Sequence, residues 1–316
     1  MQIQPGIVRA FRWLDSDNVS DDPRLSASGP VRTEYDRWIP FLFLHLGCFG
    51  VIFTGTSWFA VTTCLVLYCI RMFAITGFYH RYFSHRSFKA SRIAQAFFAI
   101  LGLTAMQRGP LWWAAHHRAH HKEADRDNDP HSPVVRGFLW SHLGWLTATK
   151  NMPTDYTKVP DFLKYPELRF LNRFDWVIPL LLFIGLYGLG QYLQATMPQF
   201  QTNGLQLIVW GFFISTTILF HATCSINSFA HMFGYRRFDI PDDSRNNPIL
   251  ALVTFGEGWH NNHHRYSNSV RQGFVWWELD ITYLILLCMS KIGLIYDLQP
   301  VPDAVMRKVA LKERES

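Results

Sequence analysis

The sequence predicts an all-α integral membrane protein, with four transmembrane helices in two hairpins and a helical cytoplasmic cap holding a histidine-rich metal site. Three observations predict this. Trp38 to Ile70 and Trp176 to Tyr235 contain no Asp, Glu, Lys or Arg. Each run far exceeds the roughly 20 apolar residues that cross a bilayer once. Most of the 14 histidines fall in short runs beside those apolar segments. A chain of 316 residues suggests one or two domains.

Taken in order, residues 1–37 read as a polar N-terminal arm. Its "SDNVSDDPRLSASGP" is rich in turn formers, and "MQIQPGIVRAFRW" lacks the apolar core of a cleavable signal. A membrane domain with its cap follows over 38–295, and 296–316 read as a C-terminal cytoplasmic tail. The two charge-free runs break at "TGTS" (54–57) and at "QATMPQFQTNG" (194–204), so each is a hairpin. The spans are expected at about 39–57, 58–79, 176–196 and 205–226. Arg71 interrupts the second and is expected to snorkel to the headgroups. "SRIAQAFFAILGLTAM" (91–106) is apolar but short, as a half-embedded helix would be. "WWELDITYLILLCMSKIGL" (276–294) could span, but Glu278, Asp280 and Lys291 argue for a helix along the interface, its tryptophans at headgroup level. Cys48, Cys64, Cys69, Cys224 and Cys288 lie in apolar segments with no CxxC pair and read as buried thiols.

Charge sets the orientation. Of the 30 Lys and Arg, none lies at a hairpin tip; apart from Arg71 they sit in the arm, around 81–173, and from Arg236 onward. The positive-inside rule then places both termini and the cap in the cytoplasm. The net charge of +6 fits attraction to anionic lipid headgroups. No basic helix or stacking motif accompanies it, which argues against a nucleic-acid partner.

His117, His120 and His121 stand at i, i+3 and i+4, one face of a helix, and His260, His263 and His264 repeat the spacing. His80 and His85 ("HRYFSH") follow the second span; five residues are about 140° of an α-helix, so the pair need not share one metal. His231 ("NSFAH") follows the fourth span, one turn after Asn227. Imidazole suits Zn, Cu, Fe and Ni. A structural zinc takes four ligands, so nine imidazoles fit two metal ions with open positions. His45, His116, His131, His142 and His221 are left as non-ligands, with His131 and His142 candidates for hydrogen bonding to ligands.

"HRYFSH", "HHRAHH", "NSFAHMFGYR" and "GEGWHNNHHRY", in that order and between two hairpins, resemble the membrane fatty-acyl desaturases, most closely the bacterial form of the acyl-CoA Δ9 (stearoyl-CoA) type. "DPHSP", "GFLWSHLGWL" and "WWELD" strengthen the likeness, which runs over about residues 38–295. The resemblance implies two Fe ions held by His80, His85, His117, His120, His121, His231, His260, His263 and His264, with Asn227 reaching one metal through water. It implies O2 as co-substrate, a long-chain acyl-CoA or acyl lipid as substrate, and a cis double bond at carbon 9 in unsaturated fatty acid biosynthesis. It places Gln107, Trp113 and Thr223 along the bend of the acyl tunnel. Cys224 departs from the tryptophan common there. Tyr68 and Met72, one turn apart before His80, are candidates to close the tunnel's end.

The sequence holds no thiolate cluster for iron, no dinucleotide fingerprint after a strand and no His-Pro-Gly-Gly haem motif. Electrons are therefore expected from a separate ferredoxin, small b-type cytochrome or flavoprotein reductase, docked on cap residues such as Arg81, Arg86, Arg118 and Lys122. Three other readings stay open: a di-iron membrane hydroxylase, a haem electron carrier ligated by His45 and His221, and a metal-storing or sensing membrane protein.

Overall fold

The structure, a computed structural model, describes residues 13–17 and 32–315, and of 310–315 the backbone only. The expected polar arm lies largely outside the described residues. The chain is helical: α1 (Tyr35–Thr54), α2 (Trp58–Ser84), α3 (Arg92–Leu103), α4 (Pro110–Glu123), α5 (Val177–Thr196), α6 (Gly204–His231), α7 (Pro248–Val253), α8 (His260–Arg265), α9 (Ile281–Lys291) and α10 (Asp303–Glu315). Among them α1, α2, α5 and α6 are long and apolar enough to cross a membrane. They match the expected spans, and α2 and α6 continue past them to Ser84 and His231 and so carry histidines at their ends. α3 and α9, at 12 and 11 residues, are too short to cross.

The chain divides into two compact units. The first comprises Met1–Met72, Ala99–Trp113 and Leu146–His221. Its core is Leu44, Ala60, Leu186, Leu193, Leu207, Ile208, Phe212 and Phe213. A Cβ on Gly190 would lie 2.5 Å from the backbone of Asn203 and Gly204, so glycine is what lets α5 approach the start of α6. Polar groups at the hairpin tips bind each other: Ser57 Oγ donates to Gln206 Oε1 at 2.7 Å, Gln206 Nε2 to the Thr54 carbonyl at 3.0 Å, and Trp210 Nε1 to the Gly55 carbonyl at 3.1 Å. The outside is apolar, with Phe49, Ile52, Phe53, Trp58, Leu181 and Ile184 exposed, as lipid-facing helices require.

Arg71 does not snorkel; it is 0% exposed. Its guanidinium donates to the carbonyls of Leu67 (3.0 Å), Thr104 (3.2 Å) and Gly211 (3.3 Å) and to the hydroxyls of Thr216 (2.7 Å) and Ser215. Gly211 belongs to a π-helical stretch, Ile208–Ile214, whose register differs from the α-helical one. Nor are all five cysteines buried: Cys64 and Cys224 are, Cys48 is half-buried, and Cys69 and Cys288 are exposed; all are free thiols.

The second unit comprises Phe73–Phe98, Ala114–Trp145 and Ala222–Ser316. Strand Lys89–Ala90 pairs antiparallel with Ile295–Tyr296. Phe78 stacks on Phe98 with centroids 3.7 Å apart. α10 lays Val305, Met306 and Val309 against Phe274 and Val275, so part of the C-terminal tail is packed against this unit. The "WWELD" stretch divides in a way the sequence did not foreshadow. Trp276 is 89% exposed, but Glu278 and Asp280 are buried. Asp280 caps α9 by accepting from Tyr283 N. Glu278 accepts from Tyr235 Oη, from Arg237 Nη2 at 2.9 Å and from Asn262 Nδ2 at 3.0 Å.

Candidate metal centre

All nine histidines expected as ligands lie in the second unit, and their ligand atoms gather into two groups. His80, His85, His117, His121 and His263 form one; His120, His231, His260 and His264 form the other. In each, one nitrogen per residue lies within 4.8 Å of all the rest.

Helix register, together with which helix faces meet, decides who joins which group. In α4, His117 and His121 are one α-turn apart and enter the first group, while His120 enters the second. In α8 the pair His260 and His264 enters the second, and His263 the first. Each helix therefore serves both groups. α4 starts at Pro110, and Asn172 Oδ1 accepts from Leu111 N (3.1 Å) and Trp112 N (2.8 Å), capping that helix inside the first unit. His80 and His85 share a group because Ala74–Ser84 is a π-helix. The His85 amide bonds the His80 carbonyl at 3.2 Å, an i→i+5 step that stacks the two residues instead of setting them 140° apart.

In the first group the Nε2 atoms of His80 and His263 are 3.0 Å apart, His85 and His117 2.8 Å, His117 and His121 3.0 Å, and His121 and His263 2.9 Å. In the second, His231 and His260 are 3.1 Å apart and His120 and His264 3.4 Å. Two nitrogens each about 2.1 Å from one first-row metal and at right angles are about 3.0 Å apart. The groups therefore fit ligation of a metal by Nε2.

Carboxylates fix that choice of nitrogen. Nδ1 of His80 meets Glu257; Nδ1 of His120 lies 3.0 Å from both oxygens of Asp129; His231 Nδ1 is 2.7 Å from Asp125; His264 Nδ1 is 3.2 Å from Asp242. A carboxylate only accepts, so each Nδ1 carries the proton and Nε2 keeps its lone pair for a metal. The acids are themselves held. Ser132 Oγ (2.6 Å) and Asp243 N (2.8 Å) donate to Asp125, and Asp125 N (2.9 Å) and His131 N (3.0 Å) to Asp129. Glu257 accepts from Arg81 Nη2 at 3.1 Å, and Arg81 also grips Asp280 at 2.9 and 3.1 Å and the Val270 carbonyl at 2.7 Å. Gly256 lies between these groups with φ +117°, and a Cβ there would fall 2.5 Å from Asp280 Oδ1. The Gln272 amide nitrogen lies 3.3 Å from Glu257 Oε2 and 3.4 Å from His263 Nδ1.

Electrostatics suit metal binding. Burial, followed by neighbouring imidazoles, holds His85, His117, His121, His260, His263 and His264 well below the ordinary histidine pKa. They are neutral, as ligands must be. Burial also depresses His120, but the charge and hydrogen bond of Asp129 outweigh it and raise that pKa. Burial favours protonation of Asp125 and Glu257, yet the hydrogen bond from His231 to Asp125, and the charges of His80 and Arg81 on Glu257, hold both below the usual carboxylate range.

The other sequence candidates fall elsewhere. Asn227 is half-buried on α6, one turn before His231. His131 packs on the His120 ring at 4.3 Å, and burial pushes its pKa down to about 3. His142 bonds Ser228 Oγ at 2.9 Å and is a member of neither group. His45 and His221 belong to the first unit with Nε2 atoms 2.8 Å apart. Axial nitrogens on either side of a haem iron would be about 4 Å apart, so this pair does not sandwich a haem. Tyr68, Met72, Gln107 and Trp113 lie in the first unit, Met72 fully buried and the others half-buried; Thr223 is buried in the second. Of the four cations expected at a docking face, Arg81 is buried and Arg118 donates to the Ser84 and Phe83 carbonyls at 2.9 and 2.7 Å; Arg86 and Lys122 are exposed. Sequence reasoning missed Asp125, Asp129, Asp242 and Glu257. The one signal was their presence in polar segments beside the histidine runs ("EADRDNDPH", "DIPDDS", "GEGWH").

The family model described as "Fatty acid desaturase" matches residues 56–287. The chain is 38% identical to the acyl-CoA 5-desaturase of Anemone leveillei over 85% of this chain and 80% of that one. It is 37% identical to the sn-1 stearoyl-lipid 9-desaturase of Anabaena variabilis, over 82% and 92%. It is also 37% identical to Delta-9 acyl-lipid desaturase 1 of Arabidopsis thaliana, over 85% of each.

Proposed function

The chain belongs to the fatty acid desaturase family, and we propose that within it the protein places a cis double bond at carbon 9 of a saturated long-chain acyl-CoA, using two irons and O2. The observation that carries this reading is the gathering of nine histidines into groups of five and four, four of them braced by carboxylates. The family implies iron, and imidazole nitrogen suits it. In this reading all nine histidines are ligands, and Asn227 reaches the centre through water.

Bound iron supplies what no side chain can, an oxidant made from O2 and two electrons that is strong enough for an unactivated methylene. The chain's own residues do the rest. Glu257, Asp129, Asp125 and Asp242 hold the Nδ1 protons and so aim Nε2. His80, His120, His231, His260 and His263 are buried, which limits the access of bulk water to the centre. Gln107, Trp113 and Thr223 line the acyl path, and Tyr68 and Met72 stop its end, so that the reacting carbons lie at the centre. The four apolar helices make this a membrane protein; the distribution of Lys and Arg supports a cytoplasmic centre and cytoplasmic termini. Electrons come from a separate ferredoxin, b-type cytochrome or flavoprotein reductase, with exposed Arg86 and Lys122 on its docking face.

The relatives' names include both 5- and 9-desaturases, and both acyl-CoA and lipid-linked chains. The decisive experiment must therefore read position and carrier. The protein is expressed in a host lacking its own desaturase. Double bonds are located by mass spectrometry of derivatised fatty acids, in separated acyl-CoA and glycerolipid pools. A carbon-9 alkene arising first in the acyl-CoA pool is the expected result. Another position, first appearance in glycerolipid, or an alcohol product each overturns the corresponding part.

A further inference from the structure

The two histidine groups differ in the charge around them. Three carboxylates brace the second: Asp129 on His120, Asp125 on His231 and Asp242 on His264. Among the described residues no lysine or arginine pairs with those three acids. At the first group Glu257 meets His80, and Arg81 sits 3.1 Å from that carboxylate. Arg81 is also paired with Asp280 at 2.9 Å. A further guanidinium, that of Arg118, is tied to the carbonyls of Ser84 and Phe83, next to His85. Counting these formal charges, the surroundings of the first group are near neutral and those of the second carry three negative charges.

We propose that His120, His231, His260 and His264 form the tighter iron position, and that His80, His85, His117, His121 and His263 form the weaker, exchangeable one. This rests on reading both groups as iron sites. The first group has one more imidazole, which pulls the other way. A water can replace a neutral imidazole as a ligand, whereas nothing in a buried site replaces the field of three fixed anions on a dication. Carboxylates on Nδ1 also make their imidazoles stronger donors, and three of the second group's four imidazoles are so paired.

The test is an anaerobic Fe2+ titration of the full chain, purified in detergent and stripped with a chelator. Competition with a chromophoric chelator gives the affinities, and iron per chain is measured after desalting. Wild type should fill in two steps. Asp242→Asn and Asp125→Asn, which preserve shape, should weaken the tighter step 10–100-fold and the other step by much less. Glu257→Gln should weaken only the looser step. His260→Ala should remove the tighter step and His85→Ala the looser one. Two equal steps, a tighter step lost in His85→Ala, or a tighter step indifferent to both Asp→Asn changes overturns the ordering while leaving an iron site intact. A wild-type chain that retains no iron overturns the ordering and the iron reading together. Helical circular dichroism and monodisperse elution identify any variant that fails to fold, and the two aspartate variants test the tighter step independently of each other.

Discussion

Arg71 and Arg81 stand ten residues apart on α2, and both are 0% exposed. They are accommodated in different ways. Arg71, in the first unit, is surrounded by neutral oxygens: three carbonyls and two hydroxyls, with no carboxylate among the hydrogen-bond partners of its guanidinium. Arg81, in the second, meets two carboxylates and one carbonyl. In the apolar span, neutral dipoles from several chain segments solvate a charge, and none of them is left as an uncompensated charge if it is removed. Beside the histidines, the cation is one member of a chain, Asp280–Arg81–Glu257–His80, in which each group leaves its neighbour uncompensated if it is lost. The first arrangement ties helices together; the second also orients a ligand.

The largest expected effect tests the second unit at the metal itself. His120→Ala and His263→Ala, one from each group, should abolish double-bond formation, a loss of at least about 100-fold, while the protein still inserts. Product assay together with membrane fractionation checks this, and wild-type turnover in either variant would refute its assigned role. Next comes Arg81→Met, which strands Glu257 and Asp280. It should cost about 3–5 kcal/mol, read as a drop in thermal midpoint in detergent, and adding Glu257→Gln with Asp280→Asn should restore part of it.

Acid should act on the second unit as well. The six imidazoles held below their ordinary pKa bind fewer protons folded than unfolded, so the stability of metal-free protein is present above about pH 6.5 and falls as pH drops below it. Asp125 and Glu257, also depressed, add a further loss below about pH 4.5. His120, raised, works the other way but is outnumbered. Melting curves of chelator-treated protein between pH 8 and pH 4 check the direction; a midpoint that rises on acidification would break the argument. The smallest effect is expected from Arg71→Met, about 1 kcal/mol, because the stranded groups are neutral oxygens and most of them lie within helices. If it proves as damaging as Arg81→Met, the distinction between the two arginines fails.

Spans and histidine runs were legible because each is a local pattern. An apolar stretch of bilayer length must satisfy its backbone within itself, so it declares itself as a helix without knowledge of its neighbours. The HxxHH spacing likewise gives a helix face. Asp125, Asp129 and Asp242 were not legible as partners of His231, His120 and His264, since polar loop segments rich in Asp look alike whether their acids face water or an imidazole. The burial of Glu278 and Asp280 was hidden for a related reason. Acids flanking an apolar helix usually mark the waterline, and only burial shows that these two anchor the interior.

By itself, then, the sequence determined the four apolar helices, the two HxxHH faces and the donor type, all set by periodicity and side-chain chemistry within a few turns. Tertiary structure alone decided how the nine histidines divide, since that depends on which helix faces meet and on a π-helical register that sets His85 over His80. It alone decided which acids take the Nδ1 protons and that Arg71 and Arg81 turn inward. Those outcomes depend on contacts between residues up to 199 positions apart, and no local pattern carries that information.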